Sequence, residues 1–205
     1  MKRRFLFFLT CIIAIKLSVA QIPYPGGSPG AAKVKILPDS SVILENNVMK
    51  MNFVNKGTGI KIEGFEDKIT HERLEIGKTT LFDLTLADNS ILTSEDFTLQ
   101  GSPETLNITA DPNSKTYAER LSGKRYKAIF ENKKLGLIVR WEADLRDSTN
   151  YIRQIFTFLA KASVNLSKIT LIKLPVKTGI AKMGTVDGSP LVHKNMFFAL
   201  EHPMS

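Results

Sequence analysis

Apolar and polar residues alternate most regularly between positions 135 and 145. One face of this segment carries Leu135, Leu137, Val139, Trp141, Ala143 and Leu145, and the other carries Ile138, Arg140, Glu142, Asp144 and Arg146. A period of two residues with a mostly charged second face predicts an antiparallel strand that buries one side and exposes the other. The same alternation places Trp141 in the core rather than on a sugar-stacking surface.

Shorter segments of similar composition recur along the chain and are separated by turn residues. A turn at residues 132–134 predicts a hairpin between residues 126–130 and the strand that follows. Further strands are expected at residues 41–54, 59–65, 81–86, 96–99, 151–159 and 164–174. Helical signals are scarce, with at most two turns over residues 114–121. The pattern therefore predicts an all-β fold, an antiparallel β-sandwich or supersandwich, over residues 33–205.

The first 20 residues have the three parts of a secretory signal peptide. Basic residues 2–4 precede an apolar run over residues 5–15, and small residues stand three and one positions before a cleavage site after Ala20. The run is shorter than the roughly 20 residues of a membrane span, which disfavours an N-terminal anchor helix. Cys11 lies in the middle of the apolar run, which disfavours a lipid anchor. Residues 21–32 follow as a Pro/Gly-rich leader, which we expect to be a flexible tether.

Removal of the signal peptide changes the cysteine content and the charge of the protein. Cys11 is the only cysteine, so the exported domain has no disulfide and depends on its core for stability. This composition favours a bacterial periplasm, cell surface or secreted location. The formal net charge falls from +8 to +4, because 24 basic side chains remain against 20 acidic ones. No basic cluster remains, which argues against a nucleic-acid partner.

Metal and cofactor chemistry receives little support from the sequence. His71, His193 and His202 are scattered, and the residue four positions after His71 is Glu75 rather than the second histidine of a zinc-protease motif. Solvated histidines are therefore expected, with no metal ion and no cofactor. Residues 188–190 lack the spacing of a nucleophile elbow and predict a turn instead.

Two carboxylates of the alternating strand are a candidate catalytic pair. Glu142 and Asp144 are expected about 7 Å apart on one face of the strand. Paired carboxylates hydrolyse glycosides, but Arg140 and Arg146 interleave with these two. A solvated, charge-balanced face is the favoured interpretation, and no catalytic residue is assigned.

The last 60 residues resemble part of a known family. Residues 184–192 read Gly-Thr-Val-Asp-Gly-Ser-Pro-Leu-Val, and residues 195–203 contain two phenylalanines and end in Glu-His-Pro. This pattern is similar to the N-terminal β-supersandwich, galactose-mutarotase-like, of large secreted bacterial glycoside hydrolases of the alpha-galactosidase and alpha-N-acetylgalactosaminidase-like group. Ala199 stands where that pattern has glycine.

The resemblance implies a functional role. In this family a (β/α)8 barrel of about 250 residues follows the sandwich and holds both catalytic carboxylates. We therefore expect a chain truncated before its barrel, a non-catalytic module that packs on that barrel and lends Glu201 and His202 to sugar binding. A free-standing carbohydrate-binding or adhesion sandwich is the alternative, and a structural envelope protein is a third possibility. Sandwich folds host many functions, so the fold alone does not decide.

Overall fold

A computed structural model describes residues 27–55, 59–174, 179–186 and 188–201 of the chain. The expected signal peptide, the first part of the leader and His202 lie outside these ranges. Within them the chain forms β-strands and two short 3-10 helices, at Ser94–Asp96 and Tyr117–Arg120. The strands are β1 (Lys33–Ile36), β2 (Val42–Glu45), β3 (Met49–Asn55), β4 (Ile60–Asp67), β5 (Glu72–Thr80), β6 (Asp83–Leu86), β7 (Ile91–Thr93), β8 (Thr98–Leu99), β9 (Glu104–Ile108), β10 (Gly123–Asn132), β11 (Leu137–Arg146), β12 (Ile152–Ala160), β13 (Leu166–Thr170), β14 (Ala181–Lys182), β15 (Leu191–His193) and β16 (Met196–Phe198).

Two five-stranded antiparallel sheets form the body of the domain. In the first sheet, β1 to β5 form a meander in which each strand pairs with the next. In the second sheet, β12, β11 and β10 lie side by side, and both β8 and β9 pair with the other edge of β10. Two three-stranded sheets, ordered β13-β6-β7 and β14-β15-β16, complete the fold. The prediction of an all-β, antiparallel β-sandwich is confirmed.

Aromatic rings from both large sheets meet in the core. The ring of Phe53 on β3 lies 5.5 Å from Tyr126 on β10 and 5.3 Å from Trp141 on β11, measured between centroids. Trp141 is fully buried, as the alternation predicts, and its indole N–H donates a hydrogen bond to Oε1 of Gln154 at 3.0 Å. Burial of aromatic area on this scale dominates the stability of a disulfide-free core.

A second aromatic cluster surrounds Phe82, which is 1% exposed. Its ring lies 5.2 Å from Phe97, 5.9 Å from Phe130, 6.1 Å from Phe158 and 6.2 Å from Phe156, all in edge-on geometry. Edge-to-face contacts at these distances are favourable because the positive ring edge meets the negative face of its neighbour. Phe82 thus joins the β6 segment to the second large sheet.

The predicted hairpin that contains the alternating strand is confirmed, but its strand and turn boundaries differ from the prediction. Strands β10 and β11 pair over ten residues, from Asn132 opposite Leu137 to Gly123 opposite Arg146. The turn extends to Gly136, whose φ of 59° lies in the left-handed region that favours glycine. Strand β11 therefore begins two residues later than the apolar alternation suggests.

The segment predicted as one strand at residues 41–54 is two strands. Asn46 interrupts it, because its Oδ1 accepts hydrogen bonds from the backbone N–H groups of Val48 and Met49, both at 3.0 Å. Its side-chain amide also donates to the carbonyl oxygen of Thr149 at 2.7 Å. A side chain that bonds its own backbone two and three residues on makes a turn, and the distant Thr149 contact holds that turn in place.

Several strands of the fold, including β1, β5 and β9, were not predicted. Each of these three pairs with one neighbour only and lies at a sheet edge. In β5 just Leu74 and Ile76 reach the core, and the other residues are polar or glycine. Edge strands bury little, so their sequences carry a weak apolar period.

The described end of the leader is docked on the domain instead of forming a tether. The carbonyl oxygens of Pro29 and Gly30 accept hydrogen bonds from Asn47 and Ser148, at 2.9 and 2.7 Å. Ala32 is buried, and its N–H donates to Oδ1 of Asp147 at 2.7 Å. These bonds explain why a segment without an apolar period is nonetheless ordered at this point. Across the part of the chain that the structure describes, no helix is long and apolar enough to cross a membrane.

Candidate functional site

Glu201, expected to bind substrate, is the last residue that the structure describes. Its Oε2 lies 2.6 Å from Nη2 of Arg153 on β12, and the two side chains are 64% and 43% exposed. The contact fixes the chain end beside the edge of the second large sheet. An ion pair this exposed contributes little to stability, so both groups can exchange partners at low cost. The other expected residue, His202, lies outside the described residues.

The segment that carries the family resemblance folds into the small sheet of β14, β15 and β16. A turn closes it, in which Ser189 donates from its N–H at 3.2 Å and from Oγ at 2.7 Å to the carbonyl oxygen of Val186. A turn is therefore present, but Ser189 closes it, so Pro190 lies just after the turn and not within it as the sequence predicts. The ring of Phe198 packs 5.0 Å from Phe65 on β4, and Lys194 Nζ lies 2.5 Å from Oε2 of Glu72. These contacts fix the small sheet to the end of the first large sheet.

Large apolar side chains on this small sheet and the segments beside it face solvent. Met183 is 63% exposed, Val186 69%, Phe197 66% and Leu200 53%. Phe197 pairs with Val192 in the sheet, and Leu200 Cδ1 lies 3.5 Å from the position a side chain would take at Gly188. We call Met183, Val186, Phe197 and Leu200 the C-terminal apolar surface. The resembling segment thus combines the packed contacts of Phe198 and Lys194 with four exposed apolar side chains.

One histidine departs from the expectation of a solvated side chain. His193 is 6% exposed, and its Nδ1 has no hydrogen-bond partner. It lies at the end of β15, paired with Met196 of β16. His71 instead occupies an exposed turn with a φ of 59°. Within the described ranges, no group of three or more His, Cys, Asp and Glu side chains is arranged to hold a metal ion.

The carboxylates of β11 are ion-paired, and one of them is buried. Arg125 on β10 binds Asp144 through two hydrogen bonds of 2.6 Å, and its Nη1 lies 3.0 Å from Oε2 of Glu142. The side chain of Asp144 is 4% exposed, which corrects the expectation of a solvated face. Hydrogen bonding to Asp144 raises the pKa of Arg125 above its ordinary value. The partner is the cross-strand Arg125, not the neighbouring arginines of β11.

This ion pairing bears on whether Glu142 and Asp144 can act as the two carboxylates of a glycosidase. A glycosidase needs one carboxylic acid that protonates the leaving group and one free carboxylate. Here both carboxylates are bound to one permanently charged guanidinium, which occupies both oxygens of Asp144 and one oxygen of Glu142. The arrangement is suited to locking β10 to β11, and not to proton transfer.

A cavity that the sequence did not suggest lies on the outer face of the first large sheet. Its volume is about 140 Å³, and it is lined by Leu37, Asp39, Ser41, Val42, Ile43, Asn52, Val54 and Glu63. The Oδ1 atom of Asn52 is buried and has no hydrogen-bond partner. The one local sequence signal for this cavity is the polar Asn52 between the core residues Met51 and Phe53. A polar residue at such a position is ordinary on the outer face of a strand. The lining residues come from three strands and a loop, an arrangement that a single strand does not encode.

Comparison of the chain with models of known protein families, with curated proteins and with solved structures found no match.

Proposed function

We propose that this protein is a non-catalytic β-sandwich module of a secreted glycoside hydrolase that acts on alpha-galactosyl-type glycans. In this proposal the module packs against a catalytic barrel, in the same or a neighbouring chain, and Glu201 and His202 face the sugar-binding side. The observation that carries the proposal is the C-terminal apolar surface. It belongs to the segment whose sequence resembles the region that leads from sandwich to barrel in that family.

Exposed apolar side chains gathered in one short segment are typical of a surface that another protein covers. Met183, Val186, Phe197 and Leu200 lie within 18 residues and are each more than half exposed. The anchoring of Phe198 on Phe65 gives this surface a fixed base. A fixed apolar surface loses little conformational entropy on binding, which favours stable docking.

Polar groups border the same surface. Arg153 and Glu201 form an exposed ion pair beside it. An apolar centre with a polar rim is the usual composition of a protein interface, and charged rim residues orient the partner. The choice of alpha-galactosyl glycans rests on the sequence resemblance.

A binding experiment with a barrel protein tests the docking step. The barrel is a glycoside hydrolase barrel encoded in the same genome and expressed without a sandwich of its own, and titration calorimetry measures the complex. We expect a one-to-one complex that Phe197→Ser and Leu200→Ser weaken at least tenfold, since each removes a buried apolar anchor. Ile91→Ser is the matched control, because Ile91 is 60% exposed on β7 and lies outside the surface.

The outcomes separate the candidate functions. Equal affinity of the Phe197→Ser and control variants would contradict docking through this surface. Hydrolysis of aryl alpha-galactosides by the isolated chain would contradict the non-catalytic assignment. Saturable binding to a glycan array without affinity for any barrel would favour the free-standing carbohydrate-binding alternative.

A further inference from the structure

Strand β12 forms one edge of the second large sheet. Its nine residues, Ile152–Ala160, pair with β11 in a register that runs without a shift. Among the described residues, no strand pairs with its other side. At the end of this ladder the N–H of Lys161 donates to the carbonyl oxygen of Gly136, the residue opposite it, at 2.9 Å. This bond fixes which residues of β12 bond to β11, because hydrogen-bonded and non-hydrogen-bonded pairs alternate along an antiparallel ladder.

Every second residue of β12 therefore directs its backbone N–H and C=O away from β11. These residues are Ile152, Gln154, Phe156, Phe158 and Ala160. In the part of the chain that the structure describes, no backbone group forms a hydrogen bond with them on that side. A row of unpaired N–H and C=O groups along a strand edge is a template for another strand. The free edge of β12 is thus suited to strand addition.

Strand β12 lacks the features that usually protect an edge strand, which are charged side chains, proline, a bulge or short length. The edge strand β1 has four residues, two of which are Lys33 and Lys35. Strand β5 carries Glu72 and Arg73 and has a register shift against β4. At the far edge of the second sheet, β8 and β9 have two and five residues. By contrast, β12 is nine residues long, has no proline, and has Arg153 as its one charged residue.

Aromatic side chains of β12 remain partly exposed at the same edge. Phe156 and Phe158 pack against the core but are only partly buried, and their rings stack 6.5 Å apart at an interplanar angle of 11°. Trp141 and Val139, the residues opposite them on β11, are 0% exposed. The difference arises because β11 has a strand on each side. A strand added beyond β12 would therefore remove apolar ring area from water and also satisfy the backbone groups.

We propose that the strand added at this edge is β12 of a second copy of this chain, antiparallel to the first about a two-fold axis at Phe156. This register pairs all nine residues of both strands. The contact uses the same strand on both copies, so it closes after two copies and forms a dimer. The second large sheets of the two copies then form one continuous sheet, and Phe156 and Phe158 of both copies meet at its centre.

The side chains of β12 favour this register over its neighbours. It places Arg153 opposite Leu159 of the second copy and Ile155 opposite Thr157, so no like charges face each other. A slip of two residues in either direction shortens the pairing, and one of these slips places Arg153 opposite Lys161. Like charges directly opposite each other destabilise a strand pair. The strand is thus complementary to itself in the register centred on Phe156.

The dimer does not depend on the proposed function. Ile155 and Thr157 lie on the outer face of β12 and are not part of the C-terminal apolar surface. Phe197→Ser should therefore weaken barrel docking and leave the dimer unchanged, whereas substitutions at Ile155 and Thr157 should do the reverse. Loss of one interaction without the other shows which of the two proposals has failed.

Sedimentation equilibrium of the purified protein between about 1 and 100 μM tests the dimer. We expect a reversible monomer–dimer equilibrium with a Kd on the order of 10 μM, because two paired edge strands bury less area than a standard interface. The double variant Ile155→Lys with Thr157→Lys places like charges opposite each other across the axis and should raise the Kd about tenfold or more. Ile155→Lys with Thr157→Glu places opposite charges at the same positions and should restore the Kd to within about threefold.

A matched control and a second measurement complete the test. Ile129→Lys with Thr98→Lys makes the same changes on β10 and β8 of the same sheet and should dimerise as the unmodified protein does. Hydrogen exchange at the N–H of Phe156 should slow as protein concentration rises, whereas the N–H of Thr157 bonds to β11 and should be protected at every concentration. If the lysine variant at Ile155 and Thr157 fails to fold, this measurement carries the test alone. A monomer over the whole range, equal Kd values in the two lysine variants, or exchange at Phe156 that does not depend on concentration would overturn the proposal. Failure of the lysine–glutamate variant to restore the dimer would overturn the register.

Discussion

Breaking the ion pair between Arg125 and Asp144 is expected to destabilise the domain strongly. Removing the arginine should cost more stability than removing the aspartate. Asp144 is 4% exposed and Arg125 27%, so the carboxylate has far less access to water than the guanidinium. Removing one partner of a buried pair costs about 3–5 kcal/mol, because a charge remains without compensation. Arg125→Ala leaves Asp144 in this state and should cost about 3–4 kcal/mol. Asp144→Ala should cost about 2 kcal/mol, since Arg125 keeps solvent and Glu142 at 3.0 Å.

Urea unfolding measured by tryptophan fluorescence reports this difference, because Trp141 is the single tryptophan and is fully buried. With an m-value of about 2 kcal/mol per molar urea, Arg125→Ala should lower the midpoint by about 1.5–2 M. The double variant Arg125→Met with Asp144→Leu should stay within about 1 kcal/mol of the unmodified protein, because it leaves no unpaired charge. A midpoint shift under about 0.5 M for Arg125→Ala would refute the argument that this pair is a structural lock.

Two further predictions concern pH and the core. Burial alone would raise the pKa of Glu45, but hydrogen bonds and charge from Lys35 and Lys68 outweigh it and lower that pKa. As the pH falls, the unfolded chain therefore takes up a proton at Glu45 before the folded state does, so stability should fall as pH drops below about 4.5. Glu45→Gln should flatten this decline of the melting temperature with pH. An unchanged dependence on pH would contradict the assignment. Phe82→Ala should cost about 3–5 kcal/mol in urea unfolding, since it empties a fully packed site. Phe197→Ala, at a residue 66% exposed, is the control and should change stability by under about 1 kcal/mol; similar losses for both would contradict the described core.

Several features of the candidate site depend on contacts between residues that are distant in the sequence. Glu201 could be singled out by resemblance, but its ion pair with Arg153 joins a residue beyond β16 to strand β12 and depends on the path of the chain end. Burial of His193 follows from the packing of the small sheet on the body of the domain, and a three-residue strand has too short a period to reveal it. Asn52 and Glu63 lie on the two strands of a hairpin and line the same cavity beside a register shift.

The alternation over β11 determined by itself that Trp141 is a core residue and that the domain is built of antiparallel strands. This succeeds because the direction of a side chain in a strand is fixed by the two-residue repeat of the backbone, which is a local property. Only the tertiary structure decided that Asp144 is buried on the face expected to be wet, because its partner Arg125 comes from the opposite position of β10. Register, bulges and the covering of a sheet face depend on contacts between distant segments. The same strand therefore has one face that its sequence predicts and another whose environment its neighbours determine.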